Sequence, residues 1–195
     1  MDPIIITLVV VAVVGVFVMF TYNRFVRLVQ HTSEAWADID VQLKRRYDLI
    51  PNLIESVKGY VSHERGTLEA VTEARAKATQ VHVDPSNITP EQIKAMAAAE
   101  GALSDSLGKL LAIAENYPDL KASQNFVELQ RELTDTENKI QAARRFYNGN
   151  VRDLGIALQS FPSNIIGNMF NFKSREYFEL GENEEAAREP VKVSF

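Results

Sequence analysis

Hydrophobic residues divide this chain into one continuous apolar run and several periodic segments that follow it. Residues 4–20 are uncharged, and Thr7 is their only polar member. With Pro3 before it and Tyr22 after it, the run reaches the roughly 20 residues that a helix needs to span a bilayer. The chain begins M-D-P and leaves the run through F-T-Y, which favours an uncleaved anchor over residues 1–22 rather than a signal peptide.

The charges around this run predict its orientation. No basic residue precedes it, whereas Arg24 and Arg27 follow it closely and residues 44–46 add three more basic side chains. Since basic residues favour the cytoplasmic side, we expect the N-terminus outside and the body of the chain in the cytoplasm. Tyr22, Arg24 and Arg27 are the residues predicted to lie at the membrane interface.

The periodic segments predict an all-α protein. Apolar residues recur every three or four positions from 25 to 50, with Trp36 on the stripe as a core side chain, and predict a long first helix. Pro51 disfavours helix before it, so we expect a tight reversal near residues 48–50; one continuous kinked rod is the alternative. A second helix is predicted over residues 52–80.

Two further helices complete the predicted fold. The sequence T-P-E-Q at residues 89–92 has the form of a capping box and starts a third helix. A sevenfold apolar spacing from residue 126 to 158 predicts a fourth, and together these indicate an antiparallel four-helix bundle over residues 23–178. The apolar segment after Phe161 and Pro162 should fold back as a short C-terminal cap. Residues 179–195 are predicted to form an acidic, flexible tail.

Several short motifs resemble the LemA family. The resemblance implies a membrane-anchored helical bundle in the bacterial inner membrane, and it implies no established biochemical activity. It covers most of the chain after residue 20. The matching motifs are A-W-A-D-I-D-V-Q-L-K-R-R-Y-D-L-I-P-N-L at residues 35–53, V-K-G-Y at 57–60, H-E at 63–64, Y-P-D-L-K-A-S at 117–123, F-V-E-L-Q at 126–130 and F-P-S-N at 161–164.

Composition narrows the function further. A net charge of -5 and a pI near 5.3 argue against nucleic-acid binding. The absence of cysteine excludes disulfides, thiolate zinc sites and thiol catalysis. No histidine follows a glutamate at the Glu-x-x-His spacing of di-iron bundles. We therefore predict neither catalytic residues, nor a cofactor, nor a small-molecule substrate, and interpret the chain as non-enzymatic.

Some charged residues lie on or beside the predicted apolar stripes. Buried charges must be paired, protonated, hydrated or bound to a cation, so these side chains are candidates for a polar layer that fixes helix register. The alternatives are exposure through an incorrect register and a carboxylate-lined site for a metal ion or proton. The candidate layer comprises Asp40, Glu64, Glu100, Glu137 and Arg144.

Other charges project from the opposite side of the first helix. Glu34, Asp38 and Arg45 form a candidate interaction surface there. Because the body is tethered to the membrane at one end, we expect copies to associate side by side, and other membrane proteins are further candidate partners. The sequence thus predicts a scaffold or adaptor at the cytoplasmic face of the membrane.

Overall fold

A computed structural model describes residues 2–61 and 64–179, and every regular element within them is a helix. The prediction of an all-α protein is confirmed. The helices are α1 (Pro3–Lys58), α2 (Arg65–Gln80), α3 (Pro90–Ala114), α4 (Pro118–Lys121), α5 (Gln124–Gln159) and α6 (Ser163–Met169).

The first helix carries the apolar run and continues far beyond it. α1 contains 56 residues, which at ~1.5 Å per residue gives a length of about 84 Å. Within the described part of the chain it alone is long and apolar enough to cross a membrane, and none of its most apolar window is buried. α1 packs chiefly against α5, while α2 packs chiefly against α3.

The predicted reversal near residues 48–50 is wrong, because α1 continues through Pro51 to Lys58. Proline has no amide hydrogen, so Pro51 cannot donate to the carbonyl oxygen of Tyr47 one turn earlier. Arg75 of α2 donates to that oxygen instead, with its Nε atom at 2.7 Å. The continuous rod was the better interpretation of this region, although it ends at Lys58 and α2 begins separately at Arg65 rather than at residue 52.

This replacement of a backbone bond by a side chain can be tested. We expect Arg75→Met to destabilise the protein by about 2 kcal/mol, because the Tyr47 carbonyl would lose its donor. In a Pro51→Ala background the amide of residue 51 can donate to the same oxygen, so Arg75→Met should then cost less than ~0.5 kcal/mol. Denaturant unfolding in detergent measures both values.

Lys77→Met is the matched control for this pair of variants. Lys77 lies on the same helix, is exposed and pairs with Glu73 at 2.8 Å. Its removal should change the free energy of unfolding by no more than ~0.5 kcal/mol. Equal losses from Arg75→Met in the two backgrounds would show that Arg75 does not substitute for the missing amide.

The start of α3 matches the sequence prediction closely. Thr89 Oγ1 accepts from the Gln92 amide at 3.3 Å, and the Gln92 side chain accepts from the Thr89 amide at 3.1 Å. This reciprocal capping box satisfies two backbone donors that the helix itself cannot pair. At the start of α5, Ser123 occupies the N-cap position without a side-chain capping bond.

Three apolar clusters lie along the axis of α1. The first surrounds Phe25 near the apolar run, the second surrounds Trp36 and Ile39, and the third surrounds Leu53 and Val57. Residues of α5 contribute to all three, and residues of α3 contribute to the second and third. The apolar packing is interrupted between the second and third clusters, where charged side chains are buried.

Candidate functional site

Arg46 is the charged side chain at that interruption, and only 2% of it is exposed. Its Nη1 atom donates to Glu137 Oε2 of α5 at 2.8 Å and to Ser104 Oγ of α3 at 3.3 Å. Its Nη2 atom forms an ion pair with Glu100 of α3. We call Arg46, Tyr47, Glu100, Ser104 and Glu137 the Arg46 cluster.

Tyr47 connects the cluster to α2. Its hydroxyl donates to Glu100 Oε1, while its backbone carbonyl accepts from Arg75 of α2. Glu100 is 1% exposed. Its carboxylate contacts the side chains of Arg46 and Tyr47, which are adjacent residues of α1. Residues 46 and 47 thereby connect α1 to α2, α3 and α5 within a single turn.

Burial sets the protonation states in this cluster. Burial lowers the pKa of the Arg46 guanidinium, while the carboxylate of Glu137 opposes the shift. An arginine side chain is effectively always protonated in proteins, so Arg46 remains a cation at neutral pH. Burial also raises the pKa of Tyr47 to about 12, with Arg46 opposing it, so the hydroxyl keeps its proton and can donate to Glu100.

The structure brings together only part of the predicted polar layer. Glu100 and Glu137 both contact Arg46, and the Glu137 side chain remains 35% exposed. Asp40 is exposed, so its predicted place in the layer is wrong. The buried face of α1 runs through Ile39 and Leu43, and Asp40 points away from it because successive helical residues are 100° apart.

Two other predicted members of the layer also lie elsewhere. Glu64 occupies the N-cap position of α2 and is partly exposed, because α1 continues past residue 49 to Lys58 and α2 begins only at Arg65. Arg144 is buried, as its stripe position indicated, but its guanidinium lies 5.3 Å from the centre of the Phe178 ring. These two positions were misplaced by the incorrect reversal and by the unrecognised burial of Phe178.

Sequence reasoning missed Arg46, although a signal for it was present. The buried positions of α1 follow one spacing of three and four residues, at 36, 39, 43, 46, 50, 53 and 57. The predicted apolar stripe included Tyr47, and Arg45 was assigned to the candidate interaction surface. Arg46, which lies between these two residues, was assigned to neither. A charged residue at a regular core position is itself the indication of a buried ion pair.

A cleft of about 390 Å³ opens beside Arg46 and Glu137, between α3 and α5. It gives solvent a path to Glu137, while Glu100 stays enclosed. Within residues 2–61 and 64–179, no group of three or more His, Cys, Asp or Glu side chains is arranged to hold a metal ion. The arrangement is instead a paired, hydrogen-bonded layer that joins helices.

The remaining sequence-predicted residues lie on the surface of α1. Tyr22 is 38% exposed, and its ring lies 4.8 Å from that of Phe170. Arg24 and Arg27 are exposed on the same stretch of helix. The three residues of the candidate interaction surface are exposed as well: Glu34, Asp38 and Arg45.

The segment after α6 returns along α5 and is a feature that the sequence did not reveal. We call residues 172–179 the C-terminal strap. Phe178 is fully buried against Trp36, with ring centroids 5.3 Å apart. Asn148 donates to the Phe178 carbonyl at 3.2 Å and accepts from its amide at 2.9 Å, and Tyr147 donates to the carbonyl of residue 176 at 3.0 Å. The predicted tail comprised residues 179–195, of which Glu179 is exposed at the end of the strap and residues 180–195 lie outside the described residues.

The chain is similar in sequence to several known proteins. The chain is 24% identical to magnetosome protein MamQ of Magnetospirillum gryphiswaldense over 177 residues, covering 82% of this chain and 65% of that protein. It is 24% identical to magnetosome protein MamQ 2 of Paramagnetospirillum magneticum over 187 residues, covering 87% of this chain and 68% of the relative. It is 26% identical to protein LemA of Metamycoplasma hominis over 175 residues, covering 88% and 76%.

The chain thus spans about two thirds of the length of the magnetosome relatives. A model of the LemA family matches residues 35–195, which include the Arg46 cluster and the C-terminal strap. The match confirms the resemblance carried by the sequence motifs. This protein belongs to the LemA family.

Proposed function

We propose that this protein is a non-enzymatic scaffold, anchored in the bacterial inner membrane by α1, whose helical body lies at the cytoplasmic face. One observation carries the proposal: α1 runs without a break from the apolar run into the body, where the Arg46 cluster joins it to three other helices. A continuous helix fixes the body relative to the span, which suits a protein that positions partners at a membrane.

The contacts support an antiparallel four-helix bundle as the body. Trp36 packs against Tyr147, whereas Arg46, further along α1, contacts Glu137, earlier in α5. Residue numbers in these contacts increase along α1 and decrease along α5, so the two helices run in opposite directions. At the level of Arg46, side chains from α1, α3 and α5 meet, and α2 is attached through the Tyr47 carbonyl.

Membership of the LemA family and similarity to magnetosome proteins support a membrane-associated helical protein of non-catalytic type. The exposed charges of α1 supply a surface for association. Glu34 and Asp38 are acidic and Arg45 is basic, and they lie along one exposed side of the helix. A surface of mixed sign can pair with its counterpart on a neighbouring copy, and heterologous contacts of this kind close into rings or extend as filaments.

Single cysteines test orientation and association together, because the chain has none of its own. We expect Asp38→Cys to resist labelling by a membrane-impermeant thiol reagent in intact cells, since the body would be cytoplasmic. A membrane-permeant bismaleimide should link Asp38→Cys copies to one another. Val127→Cys, which is exposed near the start of α5, should also resist the impermeant reagent but form few cross-links.

Arg45→Glu provides the matched change in the same surface. It should reduce cross-linking of Asp38→Cys severalfold while altering the free energy of unfolding by no more than ~0.5 kcal/mol, because Arg45 is exposed. Labelling of Asp38→Cys from outside intact cells would contradict the orientation. Cross-linking that is equal at residues 38 and 127 would contradict association through this surface.

A further inference from the structure

The chain around α6 exposes apolar side chains that the predicted cap should have covered. Phe161 is 80% exposed, Ile165 is 54% exposed and Met169 is 61% exposed. These three residues are four positions apart, and within α6 this spacing places side chains on one face of the helix. Ser163 and Gly167 on the opposite face are buried, as is Ile166 beside them. The segment therefore folds back as expected, but these three apolar side chains remain uncovered.

The buried face of α6 packs at the level where α1 leaves its apolar run. Ile166 belongs to the cluster of Phe25, and Val18 packs against the same cluster. Val18 lies two residues before the end of the run at residue 20, so this packing begins inside the predicted span. The rings of Phe170 and Tyr22 also lie close together, with centroids 4.8 Å apart.

The orientation of α6 is fixed by close packing. A Cβ atom at Gly167 would lie 2.9 Å from Leu158 Cδ2 and 3.2 Å from Phe25 Cζ, so the helix approaches its neighbours as closely as glycine allows. Ser163 Oγ also donates to the carbonyl of Ala157 at 2.7 Å. Rotation that buried the exposed face would break both arrangements, so that face must meet whatever surrounds this end of the molecule.

The sequence around α6 is apolar enough for a lipid environment. No charged residue occurs between Asp153 and Lys173, although 24% of the whole chain is charged. Exposed apolar patches on soluble surfaces mark contact sites, and aromatic residues are favoured at the boundary between headgroups and acyl chains. Because the patch lies beside the end of a span, the bilayer that α1 enters is the surface closest to it.

We propose that Phe161, Ile165 and Met169 insert into the interfacial region of the bilayer crossed by α1, which makes α6 a second membrane contact. This inference rests on the proposed anchoring by α1. A span alone allows the body to tilt and turn about one axis. Insertion of α6 beside the span gives the body two attachment points and so fixes its tilt and its rotation relative to the membrane.

Lipid-confined quenching tests the proposal on the full-length chain. A cysteine at Ile165, Met169, Phe20 or Val127 is labelled with an environment-sensitive fluorophore, and the protein is reconstituted in phosphatidylcholine vesicles. Some vesicles contain phosphatidylcholine with a nitroxide on the acyl chain near the headgroup. We expect quenching at residues 165 and 169 to be at least about twofold greater than at residue 127. Val127 is the matched control because it is an apolar residue with 49% exposure at the opposite end of α5.

Phe20→Cys separates this inference from the anchor on which it rests. Residue 20 could be quenched while residues 165 and 169 are quenched no more than residue 127. That result would overturn the second contact and leave the anchor intact. Absence of quenching at residue 20 would overturn both. Protection of residues 165 and 169 from the lipid quencher and from aqueous iodide alike, as a second protein copy on this face would give, would also overturn the lipid contact.

Discussion

Arg46→Met is expected to lower the free energy of unfolding by about 3–5 kcal/mol, because it removes the cation paired with a buried carboxylate. Glu100 is 1% exposed, and the structure shows its carboxylate in contact with Arg46 and with the Tyr47 hydroxyl. Of these two partners, only the Tyr47 hydroxyl would remain. Glu137 is affected less, since its side chain is 35% exposed and reaches solvent. Denaturant unfolding of the full-length protein in detergent measures the loss.

Arg45→Met is the matched control, since Arg45 is the preceding residue but is exposed. It should change stability by no more than ~0.5 kcal/mol. The double variant Arg46→Met with Glu100→Leu should recover most of the loss, because replacing both members of a buried ion pair by apolar residues is often neutral. A single Arg46→Met variant as stable as Arg45→Met would show that the cluster does not hold the helices together.

Phe178→Ala is expected to destabilise the protein by about 3 kcal/mol and to expose Trp36. Phe178 is fully buried against Trp36 and lies under the guanidinium of Arg144, so its removal leaves a cavity between α5 and the C-terminal strap. Trp36 is the only tryptophan in the chain, and its fluorescence therefore reports this contact directly. We expect a red shift of its emission and greater quenching by iodide.

Tyr177→Ala controls for the loss of an aromatic residue from the same segment. Tyr177 is 46% exposed, and its neighbour Phe178 carries the backbone bonds to Asn148. This variant should leave Trp36 emission unchanged and cost about 0.5 kcal/mol or less. Identical emission spectra for the two variants would show that the strap does not cover Trp36 in solution.

The sequence by itself determined the elements whose signals are local. The apolar run at residues 4–20 specifies a helix of membrane-spanning length because no charge interrupts it. The capping box at Thr89 and Gln92 specifies the start of α3 because the two residues that form it are neighbours in the chain. The core position of Trp36 and the buried position of Glu100 followed from helical periodicity, which needs no knowledge of the partner helix.

Only the tertiary structure decided features that depend on a distant residue. Pro51 ends a helix by local rules, yet α1 continues because Arg75, 24 positions later, donates to the Tyr47 carbonyl. Phe178 was only the last residue assigned to the predicted bundle, and its burial depends on contacts with Trp36 of α1 and Asn148 of α5. Arg46 became a central residue only when Glu100 and Glu137 met it from two other helices, since a charge is buried stably where opposite charges converge on it.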